Sequence, residues 1–373
     1  MGVYNPTIGE TVTVWNETFQ WTEKHFTPAQ LLPLREAADD LGVATVARIQ
    51  AIIAEKKQSG TLHACPVPGI PGGIDMFAVL EEHRQNDAVL QKFWEEAHAV
   101  PDWVDWAQIK RGQNFMWRYL LPNLTGLALQ GFLGGTATIA GGTEVLVRTG
   151  GFSLRVLPRR FLETFLWLLQ VTMSLESIQP GGEGHNSSVR VRLLHASVRH
   201  RLLKLIDKDP LYFEAAKFGS PVNLRDAIHA LCVFCSMPVF RQLPRIGIKP
   251  DPEEAKDFLA LFRYIAYLLA TPHTFFDGVE QCHCANFLTA VADYPGVNVS
   301  RSMIIVGTRV FSGDELADKM GFSRPGLLYR ASFKGWCKLL VVLNTLQRWS
   351  PSFERMMIRK GKELACTTIA TIY

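Results

Sequence analysis

Between Arg190 and His200 the chain reads RVRLLHASVRH, a single histidine among arginines on a segment with helical periodicity. Asn186 and Ser187 follow a GGEG turn and offer N-cap oxygens. Val191, Leu194, Val198, Leu202 and Leu205 then recur at helical spacing, which predicts an apolar face. His195 lies at the margin of that face, with Arg192 three residues before it and Arg199 four residues after it, so all three share one side of the helix. An imidazole in this setting suits haem: the ring offers a nitrogen to iron, and guanidinium groups can pair with propionates. The same ring can equally be a core histidine bonded to a backbone carbonyl. The segment alone leaves both readings open.

A second group of polar residues lies just upstream. Pro158 is suited to a first helical turn, and the run FLETFLWLLQVTM continues from it. Arg160, Glu163 and Thr164 fall at i, i+3 and i+4 on one face, where three polar side chains on an otherwise apolar helix need buried partners or a ligand. The alternative is an ordinary Arg/Glu pair on a solvent face. Glu144, in GGTEVLVRTGG, stands sixteen residues before Arg160. In an apolar pocket its ionised form would be disfavoured by desolvation and favoured by a nearby guanidinium, which would tune its basicity. As a loop residue it could instead cap a helix start.

The elements that must position these groups are helices. Apolar recurrence at three and four residues marks 27–57, 76–99, 102–120, 124–140, 158–178, 188–207, 223–241, 252–270 and 337–348. Sustained period-two alternation is nearly absent: TVTVW near the start and VNVSRSMIIV around residue 300 predict small strands or extended loops, neither of which makes a sheet. The expected fold is all-α, a single large helical bundle with its cofactor between facing helices. Residues 1–60 are expected to be a helical extension of the 61–373 domain.

With 373 residues and 47% hydrophobic side chains the chain can bury a substantial core. A net charge of +4 with dispersed Lys/Arg does not call for nucleic acid. Seven scattered cysteines give no disulfide framework. Cys232 and Cys235 sit in an apolar run where cysteine acts as a small hydrophobe, and Cys282, His283 and Cys284 have poor spacing for tetrahedral zinc. Tyr119 to Thr143 is uncharged, but its polar residues and glycines fit a buried helix and tight loop better than a membrane span. The first residues lack a basic stretch followed by an apolar core, so the expected location is cytoplasmic.

Taken in order, PDWVDWAQIKRGQNF (101–115), GGTEVLVRTGG (141–151), RFLETF (160–165), the His195 helix and FRYIAYLLATP (262–272) resemble the latex clearing proteins, the b-type haem rubber oxygenases, and their fungal relatives with the mpaB-type catalytic domain. The resemblance spans about residues 90 to 350. It implies haem b held by His195 on the proximal side, with Arg192 and Arg199 supporting the cofactor. It also implies an oxygen-binding side built from Arg160, Thr164 and the residue at Glu163, with Glu144 as a base near bound oxygen. Glu163 departs from the family pattern, which places a lysine there that can cap the iron in a closed state.

The expected activity is thus that of a haem-dependent oxygenase using dioxygen on a small apolar substrate, an isoprenoid, terpenoid or prenylated metabolite, with C=C cleavage to carbonyl products. Polymeric rubber is not expected for a protein inside the cell. The alternatives are a haem peroxidase, hydroxylase or dehydrogenating oxidase, and a non-enzymatic helical protein that binds haem or lipid. Nucleic acid is not an expected partner, whereas peripheral membrane contact is compatible with the chain.

Overall fold

Aspartates start many of the helices. Asp39, Asp75, Asp87, Asp105 and Asp251 each accept a hydrogen bond from backbone N–H groups of the following first turn, which satisfies donors that the helix itself leaves unpaired. Such caps cut the amino-terminal half of the chain into shorter helices than its periodicity predicts.

The structure, a computed structural model, describes residues 6–14, 17–61, 74–128, 139–150, 157–278, 314, 318 and 324–372. Strands β1 (Thr11–Val14) and β2 (Glu17–Gln20) form an antiparallel hairpin in which Thr11 pairs with Gln20 and Val14 with Glu17. The longer helices that follow are α1 (Asp40–Gln58), α2 (Met76–His83), α3 (Ala88–His98), α4 (Trp106–Arg118), α5 (Leu120–Gly126), α6 (Ala140–Arg148), α7 (Leu157–Met173), α8 (Glu183–Ile206), α9 (Leu224–Phe234), α10 (Pro252–Leu268), α11 (Leu327–Trp349) and α12 (Pro351–Ile372), joined by single turns and loops. The all-α expectation holds except that Thr11–Val14, expected to make no sheet, finds a partner in Glu17–Gln20; among the described residues this hairpin is the only sheet.

The helix expected at 27–57 is broken: a turn at Pro28–Leu31 and a 3-10 segment at Leu32–Arg35 precede α1, whose cap is Asp39. That expected at 76–99 divides at Arg84–Asn86, where Asp87 starts a new helix. Helix α9 ends at Phe234, and Pro238 opens a π-helical turn. The uncharged carboxy-terminal run after Glu363 continues α12 as far as Ile372. The apolar stretch around residue 300 and the Cys282–Cys284 cluster lie outside the described residues. Among the described residues no helix is long and apolar enough to cross a membrane.

Two apolar cores meet along α8. In the larger, α4 packs on α10, with the Phe115 and Phe258 rings stacked at 4.4 Å and Arg111 bonded through two nitrogens to Asp257. The backbones approach closely at Gly112: a β-carbon there would lie 2.3 Å from the Asp257 carbonyl oxygen. In the smaller core, Val46 and Ile49 of α1, Leu80 of α2 and Phe93 of α3 enclose Val189, Leu193 and Ala196 of α8. The buried face of α8 is therefore not the predicted one. Leu193 is inside, while Leu194 is 39% exposed, for a reason that the cavity supplies.

Candidate functional site

Helices α7 and α8 run antiparallel, placing Gln170 beside Gly184 and Trp167 beside Ser188. A β-carbon at position 184 would stand 2.6 Å from the Gln170 carbonyl oxygen and 2.8 Å from the Val171 Cα, so only glycine admits this approach. The Trp167 indole N–H then donates to the Ser188 hydroxyl at 3.1 Å. Further along the pair the helices, with α9 and the segment after α10, enclose a cavity of about 290 Å³. Its walls are mainly apolar, including Val191 and Leu194 of α8, Leu231 and Phe234 of α9, and Leu269. Leu194 is exposed because its surface faces this space.

His195 opens onto the cavity. Its ring has accessible surface, yet protein surrounds it closely enough that desolvation, helped by the positive charge of Arg160, pushes the imidazole below its ordinary pKa; the Asp39 carboxylate opposes the shift. The ring is thus neutral near pH 7, with a lone pair available. Among the described residues it has no hydrogen-bond partner, and in particular no backbone carbonyl.

Arg160, Glu163 and Thr164 all line the same cavity from α7, as their spacing predicts. Their engagements differ. The Thr164 hydroxyl donates to the Arg160 carbonyl at 2.9 Å, which leaves the oxygen able to accept. Glu163 accepts from Arg159 Nε at 2.8 Å, an i,i+4 pair with both side chains about half exposed. The Arg160 guanidinium has neither a hydrogen bond nor an ion pair among the described residues, an unusual state for a cation beside apolar walls.

Arg192 and Arg199 both line the cavity but have different surroundings. Arg192, 2% exposed, donates Nε to Asp39 Oδ2 at 2.7 Å, one Nη to Asp39 Oδ1 at 2.9 Å and to Glu96 Oε1 at 2.7 Å, and lies over the Phe93 ring. Its Nε and one Nη are thus held by these carboxylates, which fixes the guanidinium at the cavity wall. Arg199 donates one Nη to the Ser220 hydroxyl at 2.8 Å and the Pro221 carbonyl at 2.6 Å, and its buried Nε has no partner. Burial lowers its pKa.

Glu144 is not among the residues lining the cavity. Its carboxylate accepts from Arg148 Nε at 2.7 Å, one turn along α6. The expected base near bound oxygen is thus held in a local ion pair, because the helix puts a cation four residues away. The buried carboxylate beside the start of α6 is instead Asp226, which takes a hydrogen bond from the Gly142 backbone and is pushed up to about 6 by burial.

Asp39 is the cavity residue that the sequence reading missed. It caps α1, holds Arg192 and lines the space beside His195. An Asp–Asp pair before an apolar run is its only sequence signal, and the expected continuous helix over 27–57 hid it. The walls also carry backbone strain. Val222, which lines the cavity, and Ala270, between the lining residues Leu269 and Thr271, have φ of 54° and 50°. Side chains other than glycine adopt this left-handed region at a cost, greatest when branched at Cβ. Cys232 and Cys235 are both fully buried in the apolar core. No group of three or more His, Cys, Asp or Glu among the described residues could hold a metal ion.

A rubber oxygenase from Streptomyces sp. (strain K30) is 21% identical over 339 residues, which cover 77% of this chain and 79% of the relative. The solved structure of a latex clearing protein in its closed state superposes with a TM-score of 0.59 at 17% identity, over 88% of this chain and 91% of the other, and so shares its fold. Residues 116–342, which include α7, α8 and every residue lining the cavity except Asp39, match the family described as ER-bound oxygenase mpaB/B'/rubber oxygenase, catalytic domain. The chain belongs to this family and is an oxidoreductase of the oxygenase class.

Proposed function

We propose that this oxygenase holds haem b through His195 and oxidises an apolar isoprenoid, terpenoid or prenylated metabolite with dioxygen. The observation that carries the reading is the pairing, across one apolar cavity, of a neutral imidazole without a hydrogen-bond partner on α8 and a guanidinium without a partner on α7. The residues fit the cofactor. The His195 lone pair would be available to the iron, while Arg160 and the buried Arg199 Nε would offer N–H donors to the carboxylates of the cofactor or to oxygen. Haem bound there supplies an iron centre that activates dioxygen.

The remaining work belongs to the chain. Arg160 keeps donors directed into a water-poor space, where they stabilise negative charge developing on an oxygen reactant far better than water would. Thr164, anchored to the Arg160 carbonyl, presents an acceptor oxygen beside it. Glu163, the carboxylate that α7 brings to the cavity, takes the proton-handling role once its pair with Arg159 opens. Glu144 is assigned a structural role with Arg148. Val191, Leu194 and Phe234 exclude water and hold an apolar chain. The segment before residue 61 serves as a packed extension of the oxygenase domain, since it supplies Asp39 and the helix behind His195. C=C cleavage to carbonyl products is the reaction that follows.

An absorption spectrum of the full chain, with oxygen uptake and carbonyl products followed on prenylated phenols, sesquiterpenes and short oligoisoprenes, tests this reading. His195→Ala should lose the Soret band, and Arg160→Ala should keep it while losing about a hundredfold to a thousandfold in rate. A colourless wild-type protein after growth with ample haem precursor overturns the reading. Turnover with peroxide and no oxygen moves the carboxylate at Glu163 into peroxidase chemistry instead.

A further inference from the structure

Helix α11 has two different apolar faces. Phe333, Cys337 and Leu340, with Asn344 and Gln347, point inward and are buried. The opposite side carries Leu328, Leu339, Val342, Leu346 and Trp349, the last four spaced by three or four residues, with exposures from 43% for Leu346 to 81% for Trp349. A helix that has already buried one face gains nothing in water from a second apolar row.

Charge identifies what covers it. Lys334 and Lys338, both exposed, lie one turn apart along the border of this row. Over residues 324–372, which contain α11 and α12, there are nine lysines and arginines against two glutamates, a surplus of seven in a chain whose net charge is +4. The rest of the molecule is therefore net negative, and the positive charge is concentrated on the helix pair that exposes the apolar row. Trp349 adds a ring with an apolar body and a polar N–H, a combination that favours the headgroup level of a bilayer. A second copy of the chain is disfavoured as the occupant, because the two surfaces would bring like charges together.

We propose that α11 and α12 form a docking surface for the anionic face of a lipid bilayer, with the Leu328–Trp349 row inserted at the acyl boundary and Lys334 and Lys338 at the headgroups. The helix lies in the plane of the interface and does not span it. Such docking would set an oxygenase against the phase in which apolar substrates dissolve, although the proposal rests on the surface alone and does not need the cavity reading.

Vesicle flotation of the full chain tests it without any activity measurement. The protein should float with vesicles of phosphatidylcholine containing one-third phosphatidylserine, and not with phosphatidylcholine alone, and the binding should fall at high salt. Each lysine near the surface contributes roughly fivefold in partition, so Lys334→Gln/Lys338→Gln should bind about twenty-five-fold more weakly. Trp349→Ser/Leu346→Ser should bind more weakly at both salt concentrations, with the helical circular dichroism of both variants unchanged. No flotation of the wild type with anionic vesicles at low salt overturns the proposal, as does equal flotation of the lysine variant. A dimer in sedimentation that Leu346→Glu dissociates also overturns it, because a second copy then covers the row.

Discussion

At the residue scale, the groups legible in the sequence were those tied together by helical spacing. Arg160, Glu163 and Thr164 reach one cavity because four residues make about one turn, and His195, Arg192 and Arg199 do so for the same reason. What spacing could not supply is the identity of each partner. Arg192 is claimed by Asp39, 153 residues away in sequence, and by Glu96, so its role depends on the tertiary fold. Asp226 shows the same limit and yields a pH prediction. Its carboxyl has a pKa of 3.8 in an ordinary setting and about 6 here, so the folded state binds its proton more tightly than the unfolded state. The penalty is absent below pH 3.8, grows as pH rises through the window, and is complete above about 6. Asp226→Asn, which keeps an acceptor for the Gly142 N–H, should raise stability at neutral pH by on the order of 2 kcal/mol relative to its effect in acid. Urea midpoints of both proteins at the two pH values check the sign, and an equal difference at both would refute it.

Helices were legible as a class because apolar recurrence needs only local sequence. Their ends were less so, since a cap can divide a periodic run without disturbing its period, as Asp39 and Asp87 do. The face that α8 buries was read one residue out of place, because a helix lining an internal cavity presents apolar residues to both core and cavity. The α7–α8 contact gives the element its clearest test. Helix propensity alone predicts that Gly184→Ala stabilises the chain by about 1 kcal/mol. The added methyl, however, would meet the Gln170 carbonyl and the Val171 backbone at distances that require the helices to part. The clash should win, with a loss of roughly 2–4 kcal/mol and a less accessible site for the proposed haem. Thermal unfolding and haem titration measure the two effects. An unchanged or higher midpoint would mean that the pair slides at little cost.

At the scale of the whole molecule, α1 joins the domain to the residues that line its cavity. Val46 and Ile49 pack against Leu193, while Asp39 reaches the cavity wall, so removing residues 1–60 should leave α8 with an open flank and Arg192 without its main partner. The truncated chain should show weaker helical circular dichroism, lose cooperative unfolding and retain little haem. A truncated chain that unfolds cooperatively and binds the proposed haem as the full chain does would show the segment to be dispensable. Net charge, read as a single number, concealed the contrast between the basic α11–α12 pair and the acidic remainder, since an average carries no position. A different consequence follows from the left-handed backbones at Val222 and Ala270. Both adjoin the cavity, and each holds a shape that glycine would adopt more freely. A search for heat-tolerant variants that rewards stability alone would settle on glycine at these sites first, and in doing so would select for walls less able to keep one outline around whatever the cavity binds. Thermal tolerance and substrate selectivity are thereby set against each other at two identifiable codons.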